Sequence, residues 1–152
     1  MVISSMIWGM IPHQEEVVCE IKRILRPGGP VAIAAHGLGH YKEAITGAIR
    51  IIPKRYLIGH PMEFWPRGEP EIRSQLLGAG LRKVRTFQLT WHDLFEAGAD
   101  MYGFFASTSS AWFLHRFPDH IRAKESQRIS DSFDKRGLRK LTSDVIFGYG
   151  EK

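Results

Sequence analysis

The chain has 152 residues, of which 43% are hydrophobic and 24% are charged. This is enough apolar material for one buried core, and no apolar run approaches the roughly 20 residues that a membrane span needs. Its single cysteine, Cys19, cannot form an internal disulfide, as is typical of proteins from the reducing cytoplasm. We therefore predict a cytoplasmic, globular chain of one domain, residues 1–152, that does not enter a membrane.

The formal net charge of +5 is compatible with nucleic-acid binding. The basic residues are nevertheless scattered, and near the end of the chain they alternate with acidic residues such as Asp119, Glu125 and Asp131. Mixed signs at helical spacing are typical of a solvated helix face. A nucleic-acid-binding domain is therefore the weakest of three functional hypotheses.

The first 35 residues predict a strand, a helix and a second strand. Two apolar segments, Val2–Met6 and Val31–Ala35, flank a stretch in which Val17, Ile21 and Ile24 recur at helical spacing. The Pro-Gly-Gly sequence between the helix and the second strand removes a backbone donor and allows the chain to reverse. A helix of this length between two buried strands favours a parallel, right-handed unit.

Apolar spacing and helix-stopping residues predict the remaining elements. These are a helix at 40–52, a helix at 70–80, a strand at 81–90, a helix at 119–137 with Asp119 as its N-cap, and a final strand at 140–149. The segment 54–68 is rich in proline, glycine and aromatic residues, which predicts either a loop that folds over a ligand or a surface loop held by buried aromatics. For each aromatic residue between 93 and 117, a core position is favoured over a pocket position.

Three segments together resemble one known family. The residues Arg23 to Gly29 read RILRPGG. Together with the apolar strands on either side, they resemble the fourth strand, the following helix and the fifth strand of class I S-adenosylmethionine-dependent methyltransferases (methyltransferase type 11-like). In that family the helix ends in the sequence RxLxPGG. The segment Leu76–Thr90 is similar to the helix that leads to strand six in that family, and Lys140–Lys152 to its terminal strand seven. The turn at Pro12-His13 departs from the family pattern, which has an acidic residue there.

The resemblance implies an α/β fold with a partial Rossmann-like methyltransferase sheet. Its strands would lie in the order four, five, seven, six, with the last strand antiparallel, helices on both faces and a helical insertion at 93–137 that covers the substrate pocket. It also implies S-adenosylmethionine as cofactor and a small molecule as methyl acceptor. The family holds the cofactor mainly with a Gly-rich turn after strand one, and no GxGxG occurs in this sequence. We therefore expect the C-terminal half of a methyltransferase, either truncated or one part of a split enzyme.

Candidate cofactor contacts follow the first strand. In an open α/β sheet, ligands bind beyond the carboxyl ends of the parallel strands. The resemblance implies that Ser5, Met6 and Ile7 line the methionine end of the cofactor. Trp8 is a candidate wall of the methyl-transfer site, and a packing role for it is equally compatible with its position just after a strand.

Candidate catalytic and substrate-binding residues follow the second strand. His36 is the candidate general base, because an imidazole with a pKa near neutrality can take a proton from an O–H or N–H acceptor. Alignment alone is the alternative, since a sulfonium is already an excellent leaving group. His40 and Trp65 are candidate substrate contacts. No metal site is predicted, because His36 and His40 are separated by two glycines and lack further ligands.

The first strand is also a candidate interaction site. If it is a central strand of a complete fold, its outer edge is unpaired in this chain, and an apolar edge with free N–H and C=O groups favours association. We expect a homo-oligomer, a complementary chain or the chain's own aromatic segment to cover Val2–Met6. The same features suit a second functional hypothesis, a non-catalytic interaction or regulatory module that keeps the methyltransferase fold.

Overall fold

A computed structural model describes residues 1–57 and 65–152, without the side chains of residues 109, 110 and 112. The described strands are β1 (Val2–Ser5), β2 (Pro30–His36), β3 (Arg82–Leu94) and β4 (Lys140–Glu151). The described α-helices are α1 (Gln14–Ile24), α2 (Lys42–Ile49), α3 (Glu69–Gly78), α4 (Gly98–Ala106) and α5 (Asp119–Lys135), and short 3₁₀ segments occupy Trp8–Met10, Lys54–Tyr56 and Ser109–Arg116. None of the helices in these ranges is both long enough and apolar enough to cross a bilayer.

The strands form one mixed sheet in the order β1-β2-β4-β3. β1 is parallel to β2, with register from Val2 opposite Val31 to Ser5 opposite Ala34. β4 is antiparallel to β2. The parallel first pair and the antiparallel last strand beside β2 are as predicted, and β1 lies at an edge of the sheet.

The chain forms two compact units. The first consists of Met1–His40, the described part of 63–90, and Asp144–Lys152. In it, Val31, Ile33 and Ala35 alternate along β2 and pack in one apolar cluster with residues of α1 and α3. Since alternate residues of a strand share a face, both helices of this unit lie on the same face of the sheet.

The turn between α1 and β2 has the predicted break. α1 ends at Ile24, and Gly28 has a φ of +74°, a left-handed conformation that glycine adopts at little cost. The N–H of Gly28 donates to the Lys152 carbonyl, and the Lys152 ammonium donates to the carbonyls of Arg23 and Leu25. Lys152, the residue after β4, thus satisfies carbonyl groups that the end of α1 leaves unpaired.

The second unit consists of the described part of 41–62 and of Trp91–Ser143. Its core is aromatic, and its largest fully buried side chains include Phe105, Phe113, Phe117 and Phe133. These rings lie in the segment predicted as a cover, where they form a core of their own.

Several element boundaries differ from the predictions, and two of the differences have a clear physical reason. Asp119 is the first residue of α5 and does not cap it; the N-cap is Pro118, and the Asp119 carboxylate pairs with Arg122 one turn further on. β3 continues to Leu94, four residues beyond its predicted end at Thr90. In this extension, His92 and Asp93 hydrogen-bond to Thr142 and Ser143 of β4. A strand prediction based on alternating apolar residues does not detect such long-range hydrogen bonds.

Candidate functional site

The turn that follows β2 holds the candidate site of the first unit. His36 ends β2, and Gly37, Gly39 and His40 follow it, at the carboxyl end of the strand. The antiparallel strand β4 brings Asp144 to this turn, where the Asp144 carbonyl accepts the N–H of Gly37 at 2.9 Å. Sequence analysis did not single out Asp144; its one signal was an acidic residue within the predicted last strand.

The Asp144 carboxylate is buried and fully engaged. It is 5% exposed. Its Oδ2 accepts the N–H of Gly39 at 2.8 Å, and its Oδ1 accepts hydrogen bonds from Gln88 at 2.6 Å and Thr90 at 3.1 Å. Three donors from two different segments therefore hold this side chain in one position, as a buried polar group requires.

Both glycines of the HGLGH sequence are needed for this contact. A Cβ on Gly37 would lie 2.5 Å from Asp144 Oδ2, and one on Gly39 would lie 2.9 Å from the same atom. Real Cβ atoms do not approach an oxygen so closely, so a side chain at either position would displace the carboxylate. The Gly-x-Gly pattern is thus explained by the close approach of β4.

His40 is fixed as a particular neutral tautomer. Its Nδ1 accepts the backbone N–H of Asp144 at 3.2 Å, so the ring proton of the neutral form is on Nε2. Burial, with a further contribution from neighbouring His36, lowers the pKa of His40 from 6.5 to about 4. At neutral pH, His40 is therefore an uncharged hydrogen-bond donor.

Three of the predicted site residues lie together. The His36 and His40 rings are 4.2 Å apart between centroids, and the Trp65 ring is 5.9 Å from His36 and 6.2 Å from His40. Burial lowers the pKa of His36 as well, so both imidazoles are mainly neutral at pH 7. Residues 58–64 of the segment 54–68, predicted as either a ligand-covering loop or a surface loop, lie outside the described residues.

Acidification is expected to destabilise the fold through His40. Because its folded pKa lies below its unfolded value, the unfolded chain takes up the proton first, and stability falls as the pH drops from 6.5 through 4. We expect wild type to lose about 2 kcal/mol more than His40→Asn between pH 7 and pH 4, after allowance for solvent screening. Urea unfolding at both pH values measures this difference. His13→Asn, at an exposed histidine, is the control, and equal losses for wild type and His40→Asn would contradict the assignment.

The predicted cofactor contacts follow β1, at the same edge of the sheet as His36. Met6 donates its N–H to the Ala34 carbonyl at 2.8 Å and has a φ of +59°, a strained conformation for a non-glycine residue. Ser5 is exposed, and Ile7 is 51% exposed. The Ser4 hydroxyl is buried and has no hydrogen-bond partner within the described part of the chain.

Trp8 lies apart from this surface. Its side chain is fully buried in the core of the first unit, and its indole N–H donates to Gln75 Oε1 at 3.1 Å. A ring without exposed surface cannot line an open substrate site. Of the two roles predicted for Trp8, the structure therefore agrees with packing and not with a wall of the methyl-transfer site.

No group of three or more His, Cys, Asp or Glu side chains in 1–57 and 65–152 is arranged to hold a metal ion. The side chains at the HGLGH turn are two neutral imidazoles, an indole and a buried carboxylate. Such a set can donate and accept hydrogen bonds and can accept one proton at His36.

Comparisons with known proteins gave matches among solved structures alone. The chain matches no family model and no curated protein. Similar structures include phosphoethanolamine N-methyltransferase 2 of Haemonchus contortus, in complex with phosphomonomethylethanolamine and S-adenosylhomocysteine, at 15% identity and a TM-score of 0.49, covering 99% of this chain and 32% of that one.

Two further structures are also similar. One is a Bacillus halodurans protein assigned as a methyltransferase, at 14% identity and a TM-score of 0.48, covering 99% of this chain and 68% of that one. The other is a Galdieria sulphuraria protein assigned as a sarcosine dimethylglycine methyltransferase, at 18% identity and a TM-score of 0.41, covering 96% of this chain and 51% of that one. The chain thus spans about a third of the Haemonchus protein. At these identities and TM-scores, a function has to be argued from the chain's own residues.

Proposed function

We propose that this chain is the C-terminal part of an S-adenosylmethionine-dependent methyltransferase that transfers a methyl group to a small molecule. The observation that carries the proposal is the strand order β1-β2-β4-β3 with β4 antiparallel to β2. That order is the one implied by the resemblance of the RILRPGG segment and the two later segments to the methyltransferase family. Pattern and topology are independent, since the motifs alone do not dictate which strands are neighbours.

The residues proposed to contact the cofactor are Ser5, Met6 and Ile7. The buried Ser4 hydroxyl, unpartnered within the described residues, and the left-handed backbone at Met6 fit a segment that is shaped to meet a ligand. The cofactor, when bound, supplies a methyl group on a sulfonium. Ser5 and Ile7, which are exposed, would contribute shape and backbone polarity more than charge.

The residue proposed as general base is His36. Because burial lowers its pKa, the imidazole is unprotonated at neutral pH and is ready to accept a proton from the methyl acceptor. His40 and Trp65 are the proposed substrate contacts, and Trp65 would contribute an apolar face. Asp144 acts as a positioning residue, since its backbone N–H fixes the His40 tautomer.

Titration of the full chain with S-adenosylmethionine tests the proposal. We expect amide chemical-shift changes in a ¹H–¹⁵N spectrum at residues 4–7 and 36–40, together with a thermal shift. Ser4→Ala is expected to weaken binding by about threefold or more, the loss of one hydrogen bond. Ile3→Ser, at an exposed position of β1, is the matched control. An absence of both signals at saturating cofactor would count against a methyltransferase role for this chain.

The second candidate is a non-catalytic interaction module, and one observation favours it. β1 is an edge strand, and Ile3 on it is 64% exposed. A second copy could pair with this edge in antiparallel fashion about a two-fold axis, or a complementary chain could add a strand. Light scattering of wild type and Ile3→Lys distinguishes an edge-mediated oligomer, which the lysine should dissociate, from a monomer.

A further inference from the structure

A groove in the second unit has a composition unlike that of the HGLGH turn. It has a volume of about 540 Å³ and is lined by His92, Asp93, Leu94, Phe95 and Phe104. The first four residues are consecutive at the end of β3 and the start of the following loop, and the fifth is on α4. The groove therefore combines aromatic, acidic and imidazole groups.

The aromatic side of the groove has an accessible ring. Phe95 and Phe104 lie 5.7 Å apart between ring centroids, tilted by 45°, and Tyr41 meets Phe104 edge-on at 6.2 Å. Phe104 is 44% exposed, although it belongs to a unit with a large aromatic core. Aromatic faces carry a negative quadrupole potential that attracts cations.

The polar side of the groove is negative. Asp93 lines it, and one of its oxygens accepts a hydrogen bond from Ser143 at 3.1 Å. No lysine or arginine occurs among the described lining residues. An anion would therefore be repelled, whereas a cation would meet a carboxylate and aromatic faces together.

The contact of His92 with Thr142 fixes the role of its Nδ1 atom. Thr142 donates its hydroxyl proton to Glu43 at 2.5 Å. Burial raises the pKa of Glu43, but the hydrogen bonds from Thr142 help to hold that pKa below its usual value. Because the single hydroxyl proton is used, the contact of 3.2 Å between Thr142 Oγ1 and His92 Nδ1 requires Nδ1 to donate. The neutral ring then has an unprotonated Nε2, a hydrogen-bond acceptor.

We propose that this groove binds an organic ammonium ion, with Phe104 and Phe95 against the alkyl substituents and Asp93 as the counter-charge. The positive charge, the apolar substituents and, for a protonated amine, the N–H donors are each matched by a group that lines the groove. The inference rests on the second unit alone and is independent of the proposed methyl transfer.

Binding of choline to the full chain tests this site, with 3,3-dimethylbutan-1-ol, its uncharged carbon isostere, as the comparison ligand. We expect choline to shift the amide signals of residues 92–95 and 104. We expect the isostere to bind with an affinity that is lower by at least about tenfold, because it lacks the charge. Equal binding of the two ligands would overturn the proposal in favour of an apolar groove. An absence of choline binding would overturn it as well.

Two variants locate the site. Asp93→Asn is expected to weaken choline binding by about tenfold, the loss of a charged partner, and Phe104→Leu by about threefold to fivefold, the loss of a cation–π contact at a partly exposed ring. Glu96→Gln, which removes the same charge three residues from Asp93 at an exposed position outside the lining, should leave binding unchanged. If all three variants bind equally, the ligand lies elsewhere and the proposal fails.

Discussion

Replacing Asp144 with alanine is expected to lower the free energy of unfolding by about 3 kcal/mol or more. The carboxylate is 5% exposed and accepts hydrogen bonds from Gly39, Gln88 and Thr90. Its removal leaves the Gly39 N–H without its partner beside the HGLGH turn, a cost that water can offset only if it enters the space left by the carboxylate. Chemical denaturation followed by intrinsic tryptophan fluorescence measures the change.

The control for this loss is Asp131→Ala. Asp131 is exposed on α5, where its carboxylate accepts one hydrogen bond from Gln127, and its replacement should change stability by no more than about 0.5 kcal/mol. A similarly small effect of Asp144→Ala would show that the three hydrogen bonds do not stabilise the fold.

A double-mutant cycle tests the contact between Asp144 and Gly37. Alone, Gly37→Ala should cost about 2 kcal/mol, because its Cβ would lie 2.5 Å from Asp144 Oδ2. In the Asp144→Ala background that oxygen is absent, so the same substitution should cost much less. Additive losses would mean that the carboxylate does not lie against this glycine.

Replacing His36 with alanine is expected to lower the methyl-transfer rate by about a hundredfold or more, the usual contribution of a general base. The measurement uses the full chain in a preparation that shows transfer, alone or with a complementary chain. S-adenosylmethionine affinity should stay unchanged, since the proposed cofactor contacts are on the segment after β1. His120→Ala, at an exposed histidine of α5, is the control.

The pH profile separates a base from a residue that only shapes the site. In wild type, the transfer rate should rise with pH through a pKa below 6.5, because burial lowers the pKa of His36, and then level off. His36→Ala should lose this dependence. An unchanged rate and profile would leave alignment of donor and acceptor as the explanation of transfer.

The sequence predicted the first strand–helix–strand unit closely. Apolar runs placed β1 at 2–6 and β2 at 31–35, against Val2–Ser5 and Pro30–His36 in the structure, because both strands and the intervening helix are specified by local spacing and a Pro-Gly-Gly break. The resemblance to methyltransferases added the antiparallel last strand, which local spacing cannot give. His36, His40 and Trp65 were named as site residues, and they lie within ring contact of one another.

The sequence did not predict the group that holds this turn in place. Asp144 reads as one of three consecutive polar residues in the last strand, and its partners Gly39, Gln88 and Thr90 are 105, 56 and 54 residues away. Trp8 was left between two roles because an aromatic residue just after a strand is compatible with both. Its burial decided between them, and burial depends on which elements pack over it.

By itself, the sequence determined the four strands and most of the helices, although not the bounds of α4, because those properties depend on residues within a few positions of one another. The tertiary structure alone decided that β4 brings a carboxylate against two glycines after β2, and that Asp93, Phe95 and Phe104 share a groove. Both arrangements join side chains that are apart along the chain. Their geometry is set by strand pairing and core packing, which no local pattern of residues encodes.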